Sequence, residues 1–165
     1  MPLYFAYGSN MDVAAMASRC PHSRPVGPAR LMRHRFLVTS DGYASVQRDP
    51  AATVWGLLWD LSLADIAALD RYESLGTGLF SKTTQAVLAE KGPRRALLYV
   101  GRTRRPGPPR PGYMESVIAA AAAAGLPETY RRALGAWLPT QPAGAAPEKP
   151  RIRARFTAPD DPRRS

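Results

Sequence analysis

Residues 4–11, Tyr-Phe-Ala-Tyr-Gly-Ser-Asn-Met, decide how the chain is read. Aromatic residues at Tyr4, Phe5 and Tyr7 predict a buried strand over Leu3–Tyr7. The strand then stops on Gly8-Ser9-Asn10, small and polar residues that permit unusual backbone geometry. A short helix is expected over Met11–Arg19, with the Asn10 side chain as its N-cap. The first N–H groups of a helix have no intrahelical partner, and the helix dipole favours negative charge there. Such a junction suits an anion such as a ligand carboxylate: Gly8 admits close approach, and Ser9 and Asn10 add side-chain hydrogen bonds. An ordinary strand-to-helix turn with a cap is the alternative reading, and this stretch alone leaves both open.

Working outward, residues 20–28 read as a turn-rich loop and 29–38 as a strand, followed by a turn at Asp41-Gly42. A short strand over 43–50 is expected to end at Pro50. A second, over 53–61, carries Trp55 and Trp59 on one face. Residues 62–76 form a helix opened by Ser62 and closed by Gly76. Residues 79–89 and 94–101 pair as a hairpin around Glu90–Pro93. An exposed Pro/Gly/Arg linker (102–112) leads to two helices, 113–126 and 127–138, the second opened by Pro127 in its first turn. From Pro139 onward proline, alanine and charge dominate, so 139–165 is expected to be a disordered tail, with a short edge strand at Ile152–Phe156 as the one exception. The layout is α+β: one domain over 1–138, with strands first and then interleaved helices around a mostly antiparallel sheet or small barrel.

Composition narrows the function classes. The chain has 165 residues, 45% of them hydrophobic, enough for one domain with a sizeable core. No apolar run approaches the roughly 20 residues that span a bilayer. The first residues lack a basic start followed by an apolar stretch, so no signal peptide and a cytoplasmic location are expected. The single cysteine, Cys20, fits a reducing compartment. The net charge of +10 comes almost wholly from arginine, with lysine only at 82, 91 and 149. These arginines scatter along the chain, which argues against a nucleic-acid track, although the field they create also suits acidic small molecules. Two histidines on unrelated segments and one cysteine do not make a zinc or iron site. Tyr7 stands where a serine-hydrolase elbow needs its first glycine. No glycine-rich dinucleotide fingerprint follows a strand.

A second candidate is Glu73, in Leu69-Asp70-Arg71-Tyr72-Glu73. It falls in the last turn of the expected helix, where the dipole opposes a carboxylate and raises its pKa toward that of a neutral-pH base. The alternative is a solvated glutamate beside Arg71.

Residues 4–11, 54–80 (Val-Trp-Gly-Leu-Leu-Trp leading into Leu-Asp-Arg-Tyr-Glu) and 113–134 together resemble the γ-glutamylcyclotransferase family in content and order, from about residue 3 to 138. The resemblance implies a small mixed β-barrel with flanking helices and a reaction without cofactor or metal. The substrate is a small γ-glutamyl compound whose α-amine attacks its own γ-carbonyl, releasing 5-oxoproline and an amino acid or amine. It also implies that Glu73 is the general acid/base. Tyr4, Phe5, Ala6, Tyr7, Gly8, Ser9 and Asn10 hold the glutamyl group, and Tyr113 touches substrate. Ser74 and Phe80 depart from the family pattern, and the leaving group is left open. A deprotecting enzyme for γ-glutamyl amines or acyl groups in a biosynthetic pathway stays open as an alternative. So does a non-catalytic binding module. The sequence does not specify an oligomeric state.

Overall fold

The computed structural model describes residues 2–73 and 75–139, so the tail, its edge strand at Ile152–Phe156 and the Ser74 departure lie outside the described residues. Five strands close a barrel in the order β1-β3-β2-β4-β5. They are β1 (Leu3–Ala6), β2 (Arg24–Val38), β3 (Ala44–Asp60), β4 (Phe80–Ala89) and β5 (Gly92–Gly101). All neighbours run antiparallel except β1 and β5, which meet in parallel through Tyr4 and Leu97. Four helices flank the barrel: α1 (Val13–Arg19), α2 (Ile66–Tyr72), α3 (Tyr113–Ala123) and α4 (Glu128–Leu134). This is the expected α+β class with a mixed, mostly antiparallel barrel.

The period-two alternation of the strands sorts their side chains into two cores. Phe5, Leu31, Val54, Leu58 and Leu98 fill the barrel interior. Trp59, Met16, Leu69, Met114 and Val117 pack between the outer barrel wall and the helices. Each large apolar side chain so buried contributes about 1.5–3 kcal/mol. At Gly56 a Cβ would run into the Ala6 carbonyl and lie 2.7 Å from the Phe5 ring, so β1 and β3 can cross closely only over glycine.

Several local expectations give way to long-range pairing. The loop expected over 20–28 is largely strand, since β2 starts at Arg24 and pairs with Asp60. The two strands expected at 43–50 and 53–61 are one, β3. Pro50 is tolerated within it because pairing with β2 breaks there: Met32 faces Thr53 and His34 faces Arg48, a bulge centred on Arg33 at φ 58°.

Asn10 is not a helix cap. A three-residue 3-10 turn spans Ser9–Met11, and α1 starts later, capped by Asp12, whose carboxylate accepts from the Ala15 N–H at 3.1 Å. The helix expected over 62–76 resolves into a 3-10 turn at Leu63–Asp65 followed by α2. Pro127 is the N-cap of α4, outside its first turn. The linker 102–112 is strapped down rather than loose. Ser40 N–H donates to the Arg105 carbonyl (2.8 Å), Gly107 N–H to Val38 (3.0 Å) and Arg110 N–H to Gly42 (3.2 Å). That strap carries the chain over one end of the barrel into α3.

Candidate active site

At that end, the C-terminus of β1, the start of β3, the last turn of α2, the start of β4 and the first residue of α3 converge on a cavity of about 140 Å³. Tyr4, Tyr7, Gly8, Asn10, Glu73 and Tyr113 all line it. Glu73 is the sole charged group in the lining. It sits at the C-cap of α2, its N–H donating to the Leu69 carbonyl at 2.9 Å.

The carboxylate is held from two sides. Asn10 Nδ2 donates to Glu73 Oε1 at 3.1 Å, and the Tyr4 hydroxyl approaches the same oxygen at 3.4 Å. Asn10 Nδ2 also donates to the Tyr4 hydroxyl (3.1 Å), which leaves the Tyr4 proton for Glu73. Arg19 donates to Asn10 Oδ1 at 2.5 Å and so fixes which end of the amide points at the carboxylate. Burial pushes the Glu73 pKa up to about 7, against the opposing pull of the Tyr4 hydrogen bond, the Arg19 charge and the Asn10 hydrogen bond. A carboxylate with that pKa is ionised in a large fraction of molecules at neutral pH and still basic enough to take a proton.

The walls are phenols kept neutral. Burial raises the Tyr4, Tyr7 and Tyr113 hydroxyls well above their ordinary value, and the nearby Glu73 charge adds to the effect. The Tyr7 hydroxyl donates to the Tyr99 carbonyl, a committed structural bond. Tyr113 differs. Its oxygen accepts from the Ala44 N–H at 3.1 Å, so its own proton remains to be donated. Gly8 makes room for this arrangement, because a Cβ there would stand 2.9 Å from the Tyr113 hydroxyl and 3.4 Å from Ala44 Cβ.

Behind the wall, Tyr99 donates to Asp70 Oδ1 (2.5 Å) and packs edge-on against Tyr4 at 5.8 Å. Lys82 pairs with Asp70 at 2.9 Å. These contacts tie α2, which carries Glu73, to β4 and β5.

Of the residues expected from sequence, Tyr4, Tyr7, Gly8, Ser9, Asn10, Glu73 and Tyr113 come together here. Phe5 and Ala6 do not line the cavity. Strand alternation turns Phe5 into the barrel interior, and Ala6 is buried in the outer core opposite Leu57. The expected helix dipole is displaced as well, since α1 begins only at Val13, beyond the Ser9–Met11 turn. Asn10 is 2% exposed and its amide faces the cavity.

Sequence reasoning missed Tyr43, Ala44, Tyr72 and Leu79 as lining residues, and Arg19 as the partner of Asn10. Tyr43 packs edge-on against Tyr113 at 5.6 Å. Arg19 stacks 3.7 Å over the Tyr72 ring, and the Tyr72 hydroxyl meets Ser9 Oγ at 3.0 Å. No spacing rule in the chain signals these pairings, which join residues up to 70 positions apart. Phe80, read as a departure from the family pattern, is part of the lining.

Among the described residues, no three His, Cys, Asp or Glu side chains gather where they could hold a metal, and no helix is long and apolar enough to cross a membrane. Burial pushes the Cys20 thiol up to about 11, which makes it a poor nucleophile.

The AIG2-like family model matches residues 53–134. The gamma-glutamylcyclotransferase of Bos taurus is 27% identical over 158 residues, covering 89% of this chain and 84% of the bovine protein. The Homo sapiens gamma-glutamylcyclotransferase is 26% identical over the same length and coverage. A solved structure of a gamma-glutamyl cyclotransferase superimposes with a TM-score of 0.79 at 26% identity, covering 89% of this chain and 94% of that one.

Proposed function

We propose that the chain is a γ-glutamylcyclotransferase, a reading supported by its similarity to the bovine and human enzymes, and that it cyclises γ-glutamyl amino acids or amines to 5-oxoproline with Glu73 as the general acid/base. The observation that carries the reading is the single buried carboxylate of the cavity, poised near neutrality by desolvation and aimed by Asn10 and Tyr4.

In this reading the ionised Glu73 takes a proton from the substrate's α-ammonium. The freed amine attacks the γ-carbonyl carbon of the same molecule, forming the C–N bond of a five-membered ring. Negative charge develops on the carbonyl oxygen, and in this reading the Tyr113 hydroxyl, whose oxygen accepts from the Ala44 N–H, donates its own proton to that oxygen. Glu73 returns its proton to the leaving nitrogen as the old C–N bond breaks. The second proton of the former ammonium passes to the released amine, so the reaction is proton-neutral overall. Because nucleophile and electrophile belong to one molecule, positioning supplies much of the acceleration; well-oriented intramolecular reactions reach effective molarities on the order of 10⁵ M or more. A glutamyl group must enter folded, and the closely packed Tyr7, Tyr43 and Tyr113 walls favour a compact conformer.

The test is a panel of γ-glutamyl amino acids and γ-glutamyl alkylamines, each with and without an acetyl group on the α-nitrogen. Free α-amines should release 5-oxoproline, and acetylated ones should release nothing. Release of glutamate instead would identify hydrolysis and sink the intramolecular mechanism. The preferred member of the panel assigns the leaving group.

A further inference from the structure

The barrel is closed unevenly. β2 and β4 pair only through Ala29–Ala89 and Arg30–Leu88. Beyond that point β2 makes no further pair with β4, and the bulge at Arg33 interrupts the β2–β3 register. A cleft of about 770 Å³ lies between residues of β2, β3, β4 and β5 and the segment after β5. Small-molecule sites commonly measure roughly 300–1,000 Å³ and often occupy the mouth of a barrel.

The chemistry of the cleft is asymmetric. Val46, Leu98 and Val100 line it; Val46 and Leu98 are buried at 4% and 1% exposure, so the half-buried Val100 supplies the accessible apolar wall. Ser81 and Thr83 on β4 line it with half-buried hydroxyls, whereas the alternate residues Lys82 and Thr84 are exposed on the other face. Arg48, Arg102 and Arg104 stand at its edge, and no Asp or Glu lines it. None of these three guanidinium groups forms an ion pair among the described residues. Asp49, the acid next to Arg48, is turned back onto the Ala51 N–H at 3.0 Å.

The edge is preformed. Gln47 Nε2 donates to the Arg104 carbonyl (2.9 Å), while Arg35 donates to Gln47 Oε1 (2.8 Å). Gly101 N–H donates to Ser45 Oγ (3.0 Å), and Arg102 N–H to the Leu79 carbonyl (3.1 Å). Three cations are thereby brought to one side of a partly apolar cleft without a counter-charge, a layout that concentrates anions.

We propose that this cleft is a second binding site, separate from the catalytic cavity, for an organic anion with a compact apolar body and a carboxylate or phosphate head. The apolar part packs on Val100, over the buried Val46 and Leu98, and the head meets Arg48, Arg102 and Arg104. The two sites lie close together: Ala44 and Phe80 line the catalytic cavity, and the next residues, Ser45 and Ser81, line the cleft.

Octanoate and octanol, identical in apolar body and different in charge, are the probes. Each is titrated into full-length ¹⁵N-labelled protein, wild type and the surface variants R48Q, R104Q and R48Q/R104Q. Octanoate should shift backbone amides around Val46, Thr83, Leu98 and Gly101 with saturation, and octanol should not. The double variant should bind octanoate about tenfold or more weakly, with its remaining spectrum and its turnover unchanged. Equal binding of octanol, shifts confined to Tyr7, Glu73 and Tyr113, unaltered affinity in the double variant, or no saturable shift in the wild type would each overturn the proposal.

Discussion

Replacing Glu73 by Gln should make the protein more stable in mild alkali while abolishing its chemistry. Burial raises the Glu73 pKa from 4.5 to about 7. The folded state therefore binds its proton more tightly than the unfolded chain does, and unfolded molecules carry fewer protons between those two values. Stability from this group is thus fully present below about pH 4.5 and is lost as pH rises through about 7. A shift of this size, at about 1.4 kcal/mol per pH unit, amounts to at most about 3 kcal/mol. Between pH 5 and pH 8.5, with some of the effect screened by water at the cavity, the loss is on the order of 2 kcal/mol. Glutamine is isosteric, cannot ionise, and can still accept from Asn10 and Tyr4. The assay is thermal unfolding of wild type and Glu73→Gln at about pH 5 and about pH 8.5, where other titrations cancel in the difference. For a chain of this size 1 kcal/mol moves Tm by roughly 2–4 °C, so the variant should gain about 4–8 °C over wild type on going to the higher pH. A gap that stays constant, or that closes at alkaline pH, would refute burial as the cause of the raised pKa.

Three other perturbations report on the same cavity. Tyr4→Phe removes a hydroxyl that favours ionised Glu73, so the rising limb of the pH–rate profile should move above about 7, at a stability cost of about 1–2 kcal/mol. Arg19→Met removes a cation that also favours ionised Glu73; the limb should again move upward, and Arg19→Lys should restore much of it. Gly8→Ala sets a methyl 2.9 Å from the Tyr113 hydroxyl, and kcat/KM should fall about tenfold or more. Adding Tyr113→Phe should recover stability without recovering rate, a non-additive pair measurable by a double-mutant cycle.

How much of this was legible in the chain depended on the range of the interactions involved. The end of β1 just ahead of Gly8 and the position of Glu73 at the end of α2 have local signatures, and each falls within a residue or so of its expected place: β1 ends at Ala6 and Glu73 is the C-cap. The order of strands and helices gave an α+β layout around a mostly antiparallel sheet or barrel, the mixed barrel itself came from the family resemblance, and closure by a parallel β1–β5 contact has no sequence signal. Asn10 shows why local rules fail at sites. Its residue type and position fit a helix cap, yet Asp12 two residues later takes that role, and Asn10 instead serves Glu73, 63 residues away. Pro50 read as a strand end because its tolerance depends on a bulge created by the partner strand. Phe5 and Ala6 were read as part of the site with their neighbours, but strand alternation and backbone pairing turn them into the two cores. Tyr43 and Tyr72 enter the cavity only through tertiary folding, which single-sequence patterns do not encode.

The most direct test of the account is the yield of 5-oxoproline and free amine from one unacetylated γ-glutamyl substrate, with wild type beside Glu73→Gln, each shown to be folded. The account predicts equal amounts of the two products from wild type and none above background from the variant. A variant that retains wild-type turnover would contradict the assignment of Glu73 as the acid/base.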